Sequence, residues 1–359
     1  MHAAQRAHLH WIGHVLQAIG VSAQWVHHAQ RERGWSNRWL TVADPEARAG
    51  VRRARIDADA RWREWQQAID ALAEQPVAAA WPALWGAVAD IARAQAALQG
   101  LRLQIDDRAL GWPAATSRWT SAIASMLHVQ AELGWVLGET ADAARVAIWL
   151  TLIRYKELCG QERAVGSALL GECPVDDSQR QWLAALIERQ DELRAALVRT
   201  QALPAREDGP WTADLQRWRA LLLSVGGCPR EPARAIQSWF EACTQRIDAL
   251  HEEELRWHAA WGNAEEPTEK AAPRSVPASA PQARRPAAPS APIEDLRTLR
   301  QRLADQHWID HAKAVLIDQG ATEAQAHQAL RRLAMDRRIS LAAAARWISA
   351  VKRHEDLTP

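Results

Sequence analysis

Two glutamate–arginine doublets have the residue types and the surroundings best suited to binding a small ligand. Arg33 follows Glu32 and precedes a glycine. Arg163 follows Glu162 and precedes an alanine, in a similarly apolar, helix-favouring stretch. Such doublets are usually surface ion pairs that add little stability. Two doublets that each precede a small residue would also suit a pocket in which arginines from two helices converge. Such a pocket could bind a planar anion such as nitrate or a carboxylate, because the guanidinium fork matches its shape.

A second basic cluster lies near the C-terminus, where four arginines fall within eight residues: Arg331, Arg332, Arg337 and Arg338. A solvated helix face is the usual explanation of such a cluster. Phosphate contacts to RNA are the alternative, and a small residue such as Ala334 would let an RNA loop approach the backbone. Trp347 is expected in the core, so we predict no aromatic platform for stacked bases.

Patterns typical of enzymes and metal centres are missing from the sequence. There is no GxxxxGK[ST] phosphate loop, no GxSxG elbow and no GxGxxG turn. His307 and His311 could share a helix face, but the spacing places only Asp310 nearby and no third ligand. We therefore expect no catalytic residue, no metal and no cofactor.

Composition limits the classes of protein that remain. A length of 359 residues suggests two or three domains, and 48% hydrophobic residues can supply their cores. The net charge is +1, so any nucleic-acid face must be local. Four cysteines without a CxxC pair suit the reducing cytoplasm, and no apolar run is long enough to span a bilayer. We expect a cytoplasmic protein without a membrane partner.

The doublets lie in a long helical region, residues 1–262. Apolar residues recur there at helical spacing, and proline-containing breaks divide the region into about eight helices. Asp44 and Asp176 are suited to be N-caps. Eight helices are enough for two four-helix bundles in tandem, so the predicted fold class is all-α.

The rest of the chain divides into a linker and a small helical domain. Residues 263–292 contain seven prolines and nine alanines and are predicted to be a linker. Residues 293–359 return to helix, with Thr322 and Ser340 as caps of the second and third helices of a small bundle. Leu296, Leu299 and Leu303 give the first of these helices a stripe that could pair with a second copy.

Three stretches carry a resemblance to the nitrate- and nitrite-sensing NIT domain: Glu32–Leu40, Lys156–Gly166 and Trp239–Ile247. That family is all-helical and built from two four-helix bundles. The resemblance implies that nitrate or nitrite is the ligand and that residues 1–262 form the sensor.

The resemblance also implies which arginines bind the anion. Two of the family's ligand arginines map onto Arg33 and Arg163. A third falls on Arg219, and Arg217 remains open as its substitute because the local match is loose.

The C-terminal region resembles the ANTAR domain, on three stretches: Lys313–Leu316, Ala329–Arg338 and Ser340-Leu341. Members of that family bind RNA and act as transcription antiterminators. With the basic cluster, the resemblance gives a predicted RNA-binding set of Lys313, Arg331, Arg332, Ala334, Arg337 and Arg338. It also implies leader-RNA hairpins as the target and a homodimer that presents two copies of the domain.

Both resemblances together predict a nitrate- or nitrite-responsive antiterminator, whose C-terminal bundle is held unavailable until the anion binds. Two alternatives stay open. The same architecture could sense another small anion, or the C-terminal bundle could dock on a protein partner as an anion-gated adaptor.

Overall fold

The computed structural model describes residues 2–138, 143–204, 209–264 and 295–355. These residues form α-helices and one short 3-10 turn, Ala78–Ala80, and no strand occurs among them. The all-α prediction is therefore confirmed. The helices are α1 (His2–Val42), α2 (Pro45–Ala73), α3 (Pro82–Asp106), α4 (Trp112–Gly138), α5 (Ala143–Gly171), α6 (Asp177–Arg199), α7 (Thr212–Leu223), α8 (Pro232–Ala264), α9 (Leu296–Asp318), α10 (Glu323–Arg337) and α11 (Leu341–Glu355).

The first eight helices form two four-helix bundles in tandem, as predicted. Helices α1–α4 pack as one bundle and α5–α8 as the other. The long helix α1 belongs to both, because it packs on α2 and α4 and also on α5 and α8. Helix α1 therefore carries Arg33 to the junction of the two bundles.

Several helix starts follow from short-range sequence signals. Asp44 accepts a hydrogen bond from the backbone of Ala47, and Asp176 forms a capping box with Gln179. Thr322 also begins its helix with a capping box. The predicted N-caps are thus confirmed.

Helix α5 lies at the centre of the sensor and is buried on nearly every side from Val146 to Leu170. Five charged side chains on it are consequently inside the protein: Arg154, Lys156, Glu157, Glu162 and Arg163. Buried charges are costly without partners, so each of these groups must be accounted for by its neighbours.

Helix α9 docks on the sensor. Its apolar stripe, Leu296, Leu299 and Leu303, joins the hydrophobic core of the first bundle by packing on α4. Arg300 adds a two-pronged ion pair with Glu132 of α4. In this structure α4 of the same chain covers the stripe, and its pairing with a second copy stays a prediction.

The C-terminal helices α9, α10 and α11 pack around Ala312, Leu330 and Ala345 as a small bundle. Trp347 is not in this core, contrary to the prediction, because 41% of it is exposed. The predicted linker falls largely within residues 265–294, which lie outside the described residues, and the boundaries at 262 and 292 stay predictions. Among the described helices, none has a stretch long and apolar enough to cross a bilayer.

Candidate anion site and nucleic-acid face

The two predicted ligand arginines lie where α1 and α5 approach each other closely. A Cβ on Gly34 of α1 would come within 2.9 Å of the Arg163 Nε atom. A Cβ on Gly160 of α5 would come within 2.7 Å of the Arg33 Nη2 atom. Each helix therefore supplies one arginine and, opposite it, one glycine that leaves room for the other arginine. The convergence that the repeated doublets suggested is present.

Arg33 is fully buried and is matched by an acidic group. Its Nη1 atom donates to Glu157 Oε1 at 2.6 Å and to Thr120 Oγ1 at 3.0 Å. Its Nη2 atom donates to Glu157 Oε2 at 3.2 Å. The carboxylate of Glu157 thus fills the guanidinium fork of Arg33, with a planar, charge-assisted geometry.

Arg163 is also fully buried, but it has no carboxylate partner within ion-pair distance among the described residues. Its Nη2 atom donates to the backbone oxygen of Gln30 at 2.6 Å, and its Nη1 atom donates to Thr244 Oγ1 at 3.1 Å. The ring of Phe240 lies 5.2 Å from its guanidinium carbon. Burial, reinforced by the nearby charge of Arg33, lowers the pKa of Arg163 to about 10, so the group stays cationic at neutral pH.

The Glu157 carboxylate connects this pair of arginines to an open space. Besides Arg33, it accepts hydrogen bonds from Gln30 at 2.8 Å and Gln161 at 2.9 Å. Glu157 and Thr120 also line a cavity of about 640 Å³ between the sensor and the helices α9 and α10. A small anion in that cavity would have direct access to the groups that hold Arg33.

Arg219 lies in a separate cluster of the second bundle. Its Nε and Nη2 atoms donate to the two oxygens of Glu162 at 2.5 and 2.7 Å. Arg246 shares the same carboxylate, and Gln190 bonds to all three groups. Arg219 is therefore already neutralised, and its role as a ligand stays a prediction.

The substitute position, Arg217, lies on the surface. Its guanidinium stacks on Trp218 at 4.1 Å and lies 3.8 Å from Asp214. Of the two candidates, only Arg219 points into the protein.

Sequence reasoning missed the partners of the arginines, Glu157 and Thr120 above all. A signal for Glu157 was present: an isolated charge on a helix that is apolar on all sides must be buried and must have a partner. No sequence signal marked Thr120, because its contact with Arg33 depends on how α4 packs against α1.

The predicted RNA-binding residues are only partly on one surface. The four arginines of the basic cluster are exposed on α10 and the turn after it. Ala334 is buried against the bundle instead, and Lys313 is half-buried, donating to Glu323 Oε1 at 2.6 Å. Docking of α9 leaves the four arginines uncovered.

Trp347 adds an aromatic group to the arginine face. The guanidinium carbon of Arg337 lies 4.1 Å from the centre of its ring. Met335 and Ile339 are exposed large apolar side chains on the same small bundle. A surface that combines arginines with an exposed indole has the chemistry to bind phosphates and unstacked bases.

Comparison with known proteins gives matches over both parts of the chain. The family described as nitrate and nitrite sensing (NIT) matches residues 24–260, and the ANTAR domain family matches residues 297–348. A nitrate regulatory protein of Klebsiella oxytoca is 26% identical over 382 residues, covering 99% of this chain and 94% of that protein. The solved structure of the NasR transcription antiterminator is similar in fold, with a TM-score of 0.64 and 23% identity over 98% of this chain and 97% of that chain.

Proposed function

This chain belongs to the nitrate- and nitrite-sensing family, and on that premise we propose that it is a nitrate- or nitrite-responsive transcription antiterminator. The order of the domains supports this proposal, because a sensing region precedes an ANTAR domain. A sensor followed by an RNA-binding module is the architecture of a regulator and not of an enzyme. The similarity to a nitrate regulatory protein over almost the full length of both chains points the same way.

The observation that carries the sensing proposal is the buried, unpaired charge of Arg163 beside Arg33. A buried cation without a counter-ion costs several kcal/mol, and two neighbouring guanidinium groups also repel each other. A small planar anion between α1 and α5 would relieve both effects. Each charge-assisted hydrogen bond to it would contribute about 1.5–3 kcal/mol.

The second step of the proposal is that the anion competes with Glu157 for Arg33. A trigonal anion has the same planar array of oxygens as the carboxylate it displaces. The displaced Glu157 would turn toward the cavity, where Asp310 and Lys313 of α9 form part of the opposite wall. Binding of the anion thereby changes the charges that face α9. The anion can shift the equilibrium between docked and released α9 only by as much as its affinity differs between those two states.

Release of α9 would expose its apolar stripe for pairing with a second copy. Two C-terminal bundles brought together in a homodimer would then bind leader-RNA hairpins and keep the terminator from forming. The proposed setting is the reducing cytoplasm, which suits four cysteines without a CxxC pair.

Intrinsic tryptophan fluorescence of the full-length chain tests the sensor, because the chain has 20 tryptophans and Trp35 follows Gly34 on α1. We expect a saturable change with nitrate or nitrite that is lost in Arg33→Ala and kept in Arg217→Ala, whose side chain is on the surface. A response to acetate alone would support the alternative hypothesis that the same architecture senses another small anion. A folded protein that responds to none of these anions contradicts the sensing proposal.

The rival function, an anion-gated adaptor that docks on a protein, makes a different prediction for the basic cluster. If the cluster binds RNA, reversing Arg331 and Arg332 to glutamate should strongly weaken hairpin binding and lower the salt dependence of the binding that remains. If the cluster serves protein docking alone, the wild-type chain should show no hairpin binding above that of a scrambled RNA.

A further inference from the structure

Three side chains from three helices meet under α9, at the contact between the sensor and the C-terminal bundle. They are Asp90 of α3, His128 of α4 and His307 of α9. One carboxylate oxygen and one ring nitrogen from each histidine all lie within 4.8 Å of one another. This cluster is outside the arginine site and outside the basic face, and neither part of the proposed function uses it.

In each histidine, one ring nitrogen faces a polar neighbour and the other has no hydrogen bond. His307 Nδ1 lies 3.3 Å from Ser125 Oγ, whereas the buried Nε2 atom makes no hydrogen bond and lies 3.6 Å from Asp90 Oδ2. His128 Nε2 lies 3.6 Å from Glu132 Oε1, and its buried Nδ1 atom makes no hydrogen bond. A buried ring nitrogen that lacks a partner needs an explanation.

The carboxylate is held in the same manner. Arg93 donates to Asp90 Oδ1, which leaves Oδ2 toward His307. In metal sites, a hydrogen bond to one polar atom of a ligand residue typically orients that residue so that its other polar atom can coordinate the ion.

We propose that Asp90, His128 and His307 bind a zinc ion, which clamps the C-terminal bundle onto the sensor. Two imidazoles and a carboxylate with a fourth position for water are an established donor set for Zn²⁺. Tetrahedral coordination at about 2.0–2.2 Å requires the three donor atoms to lie about 3.4 Å apart, so side-chain shifts of about 1 Å suffice.

The helical pair His307 and His311 does not form this site. The His311 ring centre is 6.5 Å from that of His307, and its Nδ1 atom lies 3.4 Å from Ser121 Oγ, one turn away on α4. In the sequence we weighed only this pair and predicted no metal, because the ligands of a site assembled from separate helices have no fixed spacing in the sequence. His311 is therefore the matched control for His307.

Isothermal titration of the untagged, metal-stripped full-length chain with ZnCl₂ tests the proposal. We expect one zinc ion per chain, with affinity reduced at least about 100-fold in His307→Asn and in Asp90→Asn, because even outer-partner changes at metal sites cost about 10–100-fold. His311→Asn should bind zinc as the wild type does. MgCl₂ should give no binding, because Mg²⁺ prefers an all-oxygen site.

Circular dichroism melts show whether each variant is folded, and a variant that does not fold is replaced by His128→Asn. Absence of stoichiometric zinc binding by the wild type overturns the proposal. Equal zinc affinity in the wild type and the folded variants also overturns it, since the ion would then be bound elsewhere, for instance by cysteines.

Only the clamping role rests on the proposed function, and it has its own measurement. Zinc should weaken hairpin binding by the wild-type chain in the absence of the anion, and it should have no effect on Asp90→Asn. Stoichiometric zinc binding without any hairpin binding would leave the site standing and contradict the proposed function. Zinc binding with unchanged hairpin affinity would overturn the clamp.

Discussion

At the level of single residues, Arg163 is a buried cation of the sensor that has no acidic partner within ion-pair distance among the described residues. Glu157 neutralises Arg33, and Glu162 neutralises Arg219. The contacts of the Arg163 guanidinium include a backbone carbonyl, a hydroxyl and an aromatic ring. In the proposed function this site binds one anion, and Glu157 is the internal group with which that anion competes.

Glu157→Gln should therefore tighten anion binding by about tenfold or more. The neutral amide bonds more weakly to the Arg33 guanidinium than the carboxylate does, by about 1–1.5 kcal/mol per hydrogen bond. Titration calorimetry with nitrate and nitrite measures the change. Glu162→Gln, five residues further along the same helix, is the control. Tighter binding in Glu162→Gln and not in Glu157→Gln would move the site to Arg219.

Trp347→Ala should weaken hairpin binding by roughly 5- to 100-fold, the loss expected when a base no longer stacks on an indole. Because the ring is already exposed, thermal unfolding should stay close to that of the wild type. Filter binding or fluorescence anisotropy with a labelled hairpin measures the effect. Unchanged RNA affinity would show that Arg337 and its neighbours bind phosphates without help from the ring.

At the level of helices, close packing of α5 against its neighbours positions the arginines. The indole of Trp239 lies against Gly166, and its Nε1 atom donates to the backbone oxygen of Arg163 at 3.1 Å. A side chain at Gly166 would overlap that ring. The glycine thus lets α8 lie close enough to α5 to fix the backbone from which Arg163 extends.

Gly166→Ala should destabilise the protein by about 1–3 kcal/mol through this overlap. Gly86→Ala on α3 is the control, because its Cβ would meet nothing within 4 Å and alanine favours a helix by about 0.5–1 kcal/mol. Urea unfolding of both variants gives the comparison. Equal stability in the two variants would mean that the tryptophan moves aside without cost.

Helix α9 carries a carboxyl group whose ionisation opposes docking. Burial, with Glu157 among the nearby charges, raises the pKa of Asp310 to about 6 from its ordinary 3.8. Because the pKa of Asp310 is higher in the folded protein than in the unfolded chain, the stabilisation from protonated Asp310 is complete below about pH 4 and is lost as the pH rises through 6.

Asp310→Asn should therefore be more stable than the wild type by about 1–3 kcal/mol at pH 7, with the difference shrinking toward pH 4. Urea unfolding across this range would contradict the expectation if the difference did not depend on pH.

Local signals in the sequence predicted several helix starts, because a cap involves residues only three apart, as in Asp176 with Gln179. The repeated doublets predicted the convergence of Arg33 and Arg163. The pairing of Arg33 with Glu157 could not be read from the sequence, since it depends on the register of α1 against α5. Trp347 was misplaced because alanines such as Ala344 and Ala345 form the inner face of α11, and their close packing leaves the large ring at the rim.

At the level of the whole molecule, docking of α9 keeps the C-terminal bundle against the sensor while its basic cluster remains exposed. Docking covers the apolar stripe of α9, whereas the four arginines stay accessible. In the proposed function, the docked state must therefore be broken before the stripe can pair with a second copy.

Arg300→Glu should break that state, because it places a carboxylate against Glu132 of α4 in place of a two-pronged ion pair. We expect hairpin binding without nitrate or nitrite to approach the level of the liganded wild type. Arg297→Glu, exposed on the same helix, controls for the change in net charge. Anisotropy titrations without the anion that show equal binding in both variants and the wild type would contradict control through α9.

Because Leu296, Leu299 and Leu303 belong to the core of the first bundle, α9 is structurally a ninth helix of the sensor as well as the first helix of the output. A fragment that ends at residue 262 would leave bare the apolar surface of α4 that these leucines cover. A recombinant chain that joins this sensor to another output module is therefore expected to need α9 of this chain, because only then is that surface covered.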